Sequence, residues 1–151
     1  MTYAETVRYL QTQALAVGAG SFWHGKEAQQ NINYNAPFPQ VHLFLMPAPL
    51  NGANVTYPVR MCFYGKDEHE NALNLADQSS SDNSLDIQDA MDRLTQAFVQ
   101  ALHEDEDSVF EVSEDVQRLP VLREGAQIGT GFFISLTLST RAQCLDFSSI
   151  D

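Results

Sequence analysis

The stretch DIQDAMDRLTQAFVQALH, Asp86–His103, decides the fold. Ile87, Ala90, Met91, Leu94, Phe98, Ala101 and Leu102 recur at three- and four-residue steps, which places them along one face of a 3.6-residue helix. Asp89, Asp92, Arg93, Gln96 and Gln100 fall on the other side and form the wet face. Ser84 or Asp86 stands where a cap is needed, and Asp86 and Asp89 lie at the positive end of the helix dipole. After His103 comes Glu104-Asp105-Glu106-Asp107, the wrong charge for a helix C-terminus, so the helix is expected to stop there. A helix of roughly five turns draws most of its stability from packing its apolar stripe, so it requires a flat apolar partner.

Strands on both sides of the helix supply that partner. Val41–Met46 is apolar except for His42 and reads as a strand covered on both faces. Pro47 and Pro49 end it, and Asn51-Gly52 signals a turn. Val55–Tyr64 follows, with Val55, Tyr57, Val59, Met61 and Phe63 on one face and Thr56, Pro58, Arg60, Cys62 and Tyr64 on the other. Pro58 lacks an N–H, which predicts an edge or a bulge there. Ser108–Val112 and Val116–Arg123 read as short strands, and Gly125–Gly129 as a turn. Phe132, Ile134, Leu136 and Leu138 alternate with Phe133, Ser135, Thr137 and Ser139, a period-2 strand. At the N-terminus, Thr2 with Glu5 forms a capping box for a helix over Thr2–Val17, whose apolar face is Tyr3, Val7, Leu10, Ala14 and Val17. Gly18 and Gly20 end it. The predicted fold is a two-layer α+β domain of order α-β-β-α-β-β. Its mixed, largely antiparallel sheet is packed by the N-terminal helix and the central amphipathic helix.

The chain has 151 residues, which suits one domain with a single core. Three segments stand outside the regular elements. Residues 18–40 read as a long loop carrying Phe22, Trp23, Tyr34 and Phe38; residues 65–83 are polar and serine-rich and are expected to be mobile; residues 142–151 read as a C-terminal arm. Eight Lys and Arg against 20 Asp and Glu give a net charge of -12, which disfavours binding to nucleic acid or an anionic membrane. Between Asp82 and Asp115 there are eleven carboxylates and one base, Arg93. A solvated acidic face accounts for them. Two cysteines, Cys62 and Cys144, make no disulfide framework, no stretch of about 18 apolar residues could span a bilayer, and the N-terminus lacks the pattern of a secretory signal. A reducing cytoplasm fits these features best.

No catalytic constellation emerges. His24, His42, His69 and His103 show no paired ligand spacing, and Asp67-Glu68-His69-Glu70 reads as a solvated loop. Glu104–Asp107 lacks the alternation and central glycine of a calcium loop. Gly125, Gly129 and Gly131 lie between strands with no helix N-terminus to hold a phosphate, so a hairpin with a bulge explains them. There is no GxSxG, and no local Cys–His signature. His42 reads as a core or interface residue and Cys62 as a small buried hydrophobe. No cofactor and no metal are expected.

The order of elements runs from FPQVHLFL (38–45) and YPVRMCFY (57–64) into the polar GKDE (65–68). IQDAMDRL (87–94) and TGFFISLTL (130–138) follow. In order and size this resembles the tail terminator, or tail completion, proteins of long-tailed bacteriophages, a family of head–tail joining proteins. The resemblance implies a non-enzymatic virion protein, made in the host cytoplasm. It would form a homo-oligomeric, usually hexameric, ring that caps the tail tube and docks to the head connector, with DNA only as passing cargo. Ring contacts are expected at Phe22, Trp23, Tyr34, Arg60 and Arg141, drawn from the aromatic loop, the Pro-containing strand and the tail. Two other classes suit the same scaffold: a small-ligand-binding or enzymatic α+β domain, and an acidic adaptor or immunity-type protein that binds a basic partner.

Overall fold

The computed structural model describes residues 2–25, 36–51, 54–66, 84–124 and 129–140. Its elements run α1 (Tyr3–Ala16), β1 (Ser21–Gly25), β2 (Gln40–Leu45), β3 (Leu50–Asn51), β4 (Asn54–Gly65), α2 (Ser84–Glu104), β5 (Phe110–Val112), β6 (Gln117–Glu124) and β7 (Gly129–Thr140). This is an α+β fold with a mixed, mostly antiparallel sheet. The sheet is ordered β1-β2-β4-β7, and β5 and β6 lie in tandem along the outer side of β7. Ser113 spans the gap between those two short strands, its N–H donating to the Thr137 carbonyl (2.9 Å) and its hydroxyl accepting from the Thr137 N–H (3.2 Å).

Helix α1 starts with the capping box that Thr2 and Glu5 predict. The Glu5 N–H donates to Thr2 Oγ1 (3.2 Å), and the Thr2 N–H donates to a Glu5 carboxylate oxygen (2.9 Å). Gly18 follows the C-cap with φ 117°, a left-handed conformation that favours glycine. Val7, Leu10 and Ala14 are buried, but Tyr3 is half-exposed and does not belong to the apolar face as expected. Helix α2 buries Ile87, Met91, Phe98 and Leu102 against Met61, Phe63, Ile134, Leu136 and Leu138 of the sheet, with Leu94 and Phe132 partly buried at the margin. Ala90 is exposed, and Thr95 takes a buried place instead, its hydroxyl satisfied by the Asp92 carbonyl (2.8 Å).

Three expectations are corrected. The long loop contains a strand, β1, which pairs in parallel with β2 from Ser21↔Gln40 to Gly25↔Phe44. Its five residues show no alternation long enough to announce it. Second, the body of β4 is interior, between β2 and β7, and the edge expected at Pro58 is confined to the end that runs past the β2 ladder. Pro58 is tolerated because its carbonyl accepts from the Met46 N–H (3.1 Å) just past the last β2 pair, Leu45↔Val59. A strand residue's N–H and carbonyl point to the same side, so the missing N–H also faces the spent end of that ladder, not β7. Third, Gly131 lies inside β7, opposite Tyr64, where a Cβ would overlap the Phe63 carbonyl oxygen. The bulge expected in this hairpin is present in β6 between Val121 and Glu124. Residues 67–83 of the polar loop and residues 141–151 with the C-terminal arm lie outside the described residues.

The side of the sheet away from the helices carries a second, smaller core of Phe44, Cys62, Tyr64, Val121 and Phe133, with Phe38 against it. The alternation along β2, β4 and β7 assigns these residues as the strands dictate: odd positions in β4 face the helices and even ones face this second core.

Candidate assembly surfaces

Four surfaces carry the chemistry of the described residues. The first is a row of side chains across the second face. Register places Trp23, His42, Cys62, Phe133 and Leu119 side by side on β1, β2, β4, β7 and β6. The middle of the row is buried and both ends are exposed, Trp23 by 42% and Leu119 by 62%. His42 is 4% exposed, and its Nε2 has no hydrogen-bond partner. Its ring meets Tyr64 edge-on at 5.4 Å and lies 6.4 Å from Trp23. Burial holds the His42 pKa down at about 4, so the ring is neutral and apolar in its behaviour. Cys62 is a buried cysteine opposite it. Sequence spacing could not have joined His42 to Cys62, because only the β2–β4 register brings them together.

The second surface is an arm. Met46, Pro47, Ala48, Pro49 and Leu50 are all exposed, Leu50 by 72%. The arm is held alongside β4 by the pairing of its last residue, Leu50, with Val55, and outside that ladder by Met46 N–H to the Pro58 carbonyl (3.1 Å) and Thr56 N–H to the Pro49 carbonyl (3.3 Å). Sequence reading treated the prolines as a strand stop and missed the surface that they create. The run of five apolar residues was the available signal.

The third is an open cleft of about 500 Å³ between α2 and the β5–β6 edge, lined by Gln96, Val99, Gln100, His103, Glu114 and Arg118, among others. The His103 ring bonds the Ser113 carbonyl (3.0 Å). Arg118 pairs with Asp92 and lies over the Phe132 ring, 5.9 Å from its centroid. Among the described residues, its lining includes no serine, threonine or cysteine.

The fourth is the acidic stretch. Asp86, Asp89, Glu104, Glu106, Asp107, Glu111, Glu114 and Asp115 are exposed, as a solvated face requires. Asp105 differs, because it accepts from the Tyr9 hydroxyl (2.9 Å) and from Gln13 Nε2 (3.3 Å), tying the end of α2 to α1.

Of the residues expected at a subunit contact, Trp23 is exposed on an outer strand. Phe22 points the other way and packs against the helix-side core. Arg60 is half-buried, with its guanidinium 4.4 Å from the centre of the Phe133 ring. Tyr34 and Arg141 lie outside the described residues. Among the described residues there is no group of three or more metal-ligating side chains, and no helix is long and apolar enough to cross a membrane. No protein-family model matches the chain, and no curated protein is similar to it.

Proposed function

We propose that this chain is a virion structural subunit of tail-terminator type, which assembles into a ring that caps the tail tube and joins it to the head connector. The observation that carries this reading is the exposed arm Met46–Leu50. Five consecutive apolar residues in water are unfavourable for a monomer and typical of a surface that another chain covers. Its two prolines fix φ, so little conformational entropy is lost when the arm docks. The role is non-enzymatic. The exposed carboxylates on α2 and the segment after it repel phosphate, which suits DNA as passing cargo rather than as ligand.

Electron microscopy of the purified chain mixed with its cognate tail tubes tests the reading. Ring-shaped caps on tube ends are expected, and Leu50→Glu should remove them without changing the melting temperature. A monodisperse monomer that leaves the tubes bare refutes it. A second reading, a small-ligand-binding domain, is favoured by the cleft between α2 and the β5–β6 edge. Native mass spectrometry showing a retained small molecule, displaced by Val99→Trp, would select that reading instead.

A further inference from the structure

We infer that the contact between neighbouring copies is made head-to-tail, with the β1 edge of one copy against the β6 edge of the next, and with Trp23 lying over Leu119 of that next copy. The inference rests on the ring reading above and adds which surfaces meet.

Three observations lead to it. The transverse row Trp23–His42–Cys62–Phe133–Leu119 is continuous across the sheet, is apolar or uncharged in character, and ends at both edges in a large exposed apolar residue. Among the described residues, no strand pairs with the outer side of β1 or of β6. Lastly, the strand directions match. β1 runs parallel to β2, β2 antiparallel to β4, β4 antiparallel to β7, and β7 antiparallel to β6, so β1 and β6 point in opposite directions. A copy placed beside the first with its strands oriented the same way therefore presents an antiparallel neighbour to β1. This contact is heterologous, the kind that closes into a ring when the rotation per subunit allows.

The pairing that continues the row sets Ser21 opposite Val121, Phe22 opposite Pro120, Trp23 opposite Leu119, His24 opposite Arg118 and Gly25 opposite Gln117. No carboxylate meets another along that line, and Arg118 is already neutralised by Asp92 within its own subunit. Pro120 offers no N–H, so the edge is matched by side chains more than by a complete ladder. A two-fold contact of β1 with β1 would also be antiparallel. It would bury Trp23 against its own copy and leave Leu119 in water, so the head-to-tail arrangement covers more of the exposed apolar surface.

Thiol cross-linking decides between these arrangements. Trp23→Cys and Leu119→Cys are made separately, each with Cys144→Ser, leaving Cys62 buried, and are oxidised alone and as an equimolar mixture in the presence of tail tubes. The expected result is a covalent dimer that forms in the mixture only, with peptide mapping showing a 23–119 link. The double variant should give a ladder of higher species. Dimers of Trp23→Cys alone overturn the inference in favour of the two-fold contact. If no cross-link forms while the wild-type chain still caps tubes, the edge contact is wrong and the ring reading survives. If the wild-type chain also leaves the tubes bare, both fail. Trp23 is the only tryptophan in the chain, so unmodified protein gives an independent readout: its emission should shift to the blue as concentration drives association. An oligomer with unshifted emission excludes Trp23 from the contact.

Discussion

Replacing Phe98 with alanine probes the junction between α2 and the sheet at its most enclosed point. Phe98 is fully buried, and its ring lies 5.4 Å from that of Phe63, which is also fully buried. Phe→Ala at such a site costs about 3–5 kcal/mol through lost transfer energy and the cavity left behind. For a chain of this length each kcal/mol lowers Tm by about 2–4 °C, so the expected fall is roughly 6–20 °C. Against a typical total of about 5–15 kcal/mol, the variant is close to the limit of folding. Phe98→Leu keeps most of the volume and allows the ring–ring contribution to be separated. A double-mutant cycle with Phe63→Leu should give a coupling of about 0.5–1.5 kcal/mol. Urea melts with an unchanged slope are the assay. Leu94→Ala serves as the internal comparison: Leu94 is only half-buried, so about 1–2.5 kcal/mol is expected, half the range for a fully buried leucine. Equal losses at the two positions, or a loss below about 1 kcal/mol for Phe98→Ala, would refute this placement of the helix.

His42 should make stability pH-dependent. Its folded pKa of about 4 lies below the ordinary 6.5, so its neutral form is favoured by folding; stability is full above pH 6.5 and falls as pH drops toward 4, by up to about 3 kcal/mol. His42→Phe should remove that portion of the slope, and equal pH profiles for variant and wild type between pH 4 and 6.5 would show that the ring is not buried neutral. Gly131→Ala should destabilise by more than about 3 kcal/mol in denaturant melts or prevent folding, because its Cβ meets the backbone of Phe63 rather than a movable side chain. Leu50→Glu, at an exposed site, should stay within about 0.5 kcal/mol of wild type in the same melts, and a larger loss would mean that the arm packs on its own subunit.

The parts of this fold that were legible in the sequence are those with a long period. The α2 stripe over Ile87–Leu102 and the alternation of Phe132–Leu138 each repeat often enough to fix an element, its type and its buried face. The capping box at Thr2 and Glu5 was legible because it is local. What failed was short or depended on distant neighbours. β1 has five residues in a glycine-rich setting, and its partner is fixed only by the parallel register with β2. Pro58 marked the end of β4 that runs past β2, but a sequence cannot say that the rest of the strand is interior. Of the surfaces, the sequence grouped Phe22 and Trp23 together at the subunit contact, yet adjacent strand residues must face opposite ways, and only Trp23 is exposed there. Leu119, the arm and the Arg118–Asp92 pair were not found, since each depends on which surfaces the fold leaves open or brings together.

The position of β7 has a consequence for the order of events in folding. It follows every other described element in the chain, yet it lies in the interior of the sheet, between β4 on one side and β5 and β6 on the other. Its pairs with β4 join residues as far apart as Thr56 and Ser139. Such closures are slow, because the entropy of a long loop must be lost before any contact compensates for it. A ribosome must therefore deliver residue 140 before the sheet has a middle, and until then one edge of β4 is unpaired and the apolar stripe of α2 lacks the part of its partner that β7 supplies. A nascent chain in that state offers the same kind of sticky strand that its finished edges present in a controlled form, which makes the interval before β7 docks the period when aggregation is most favoured.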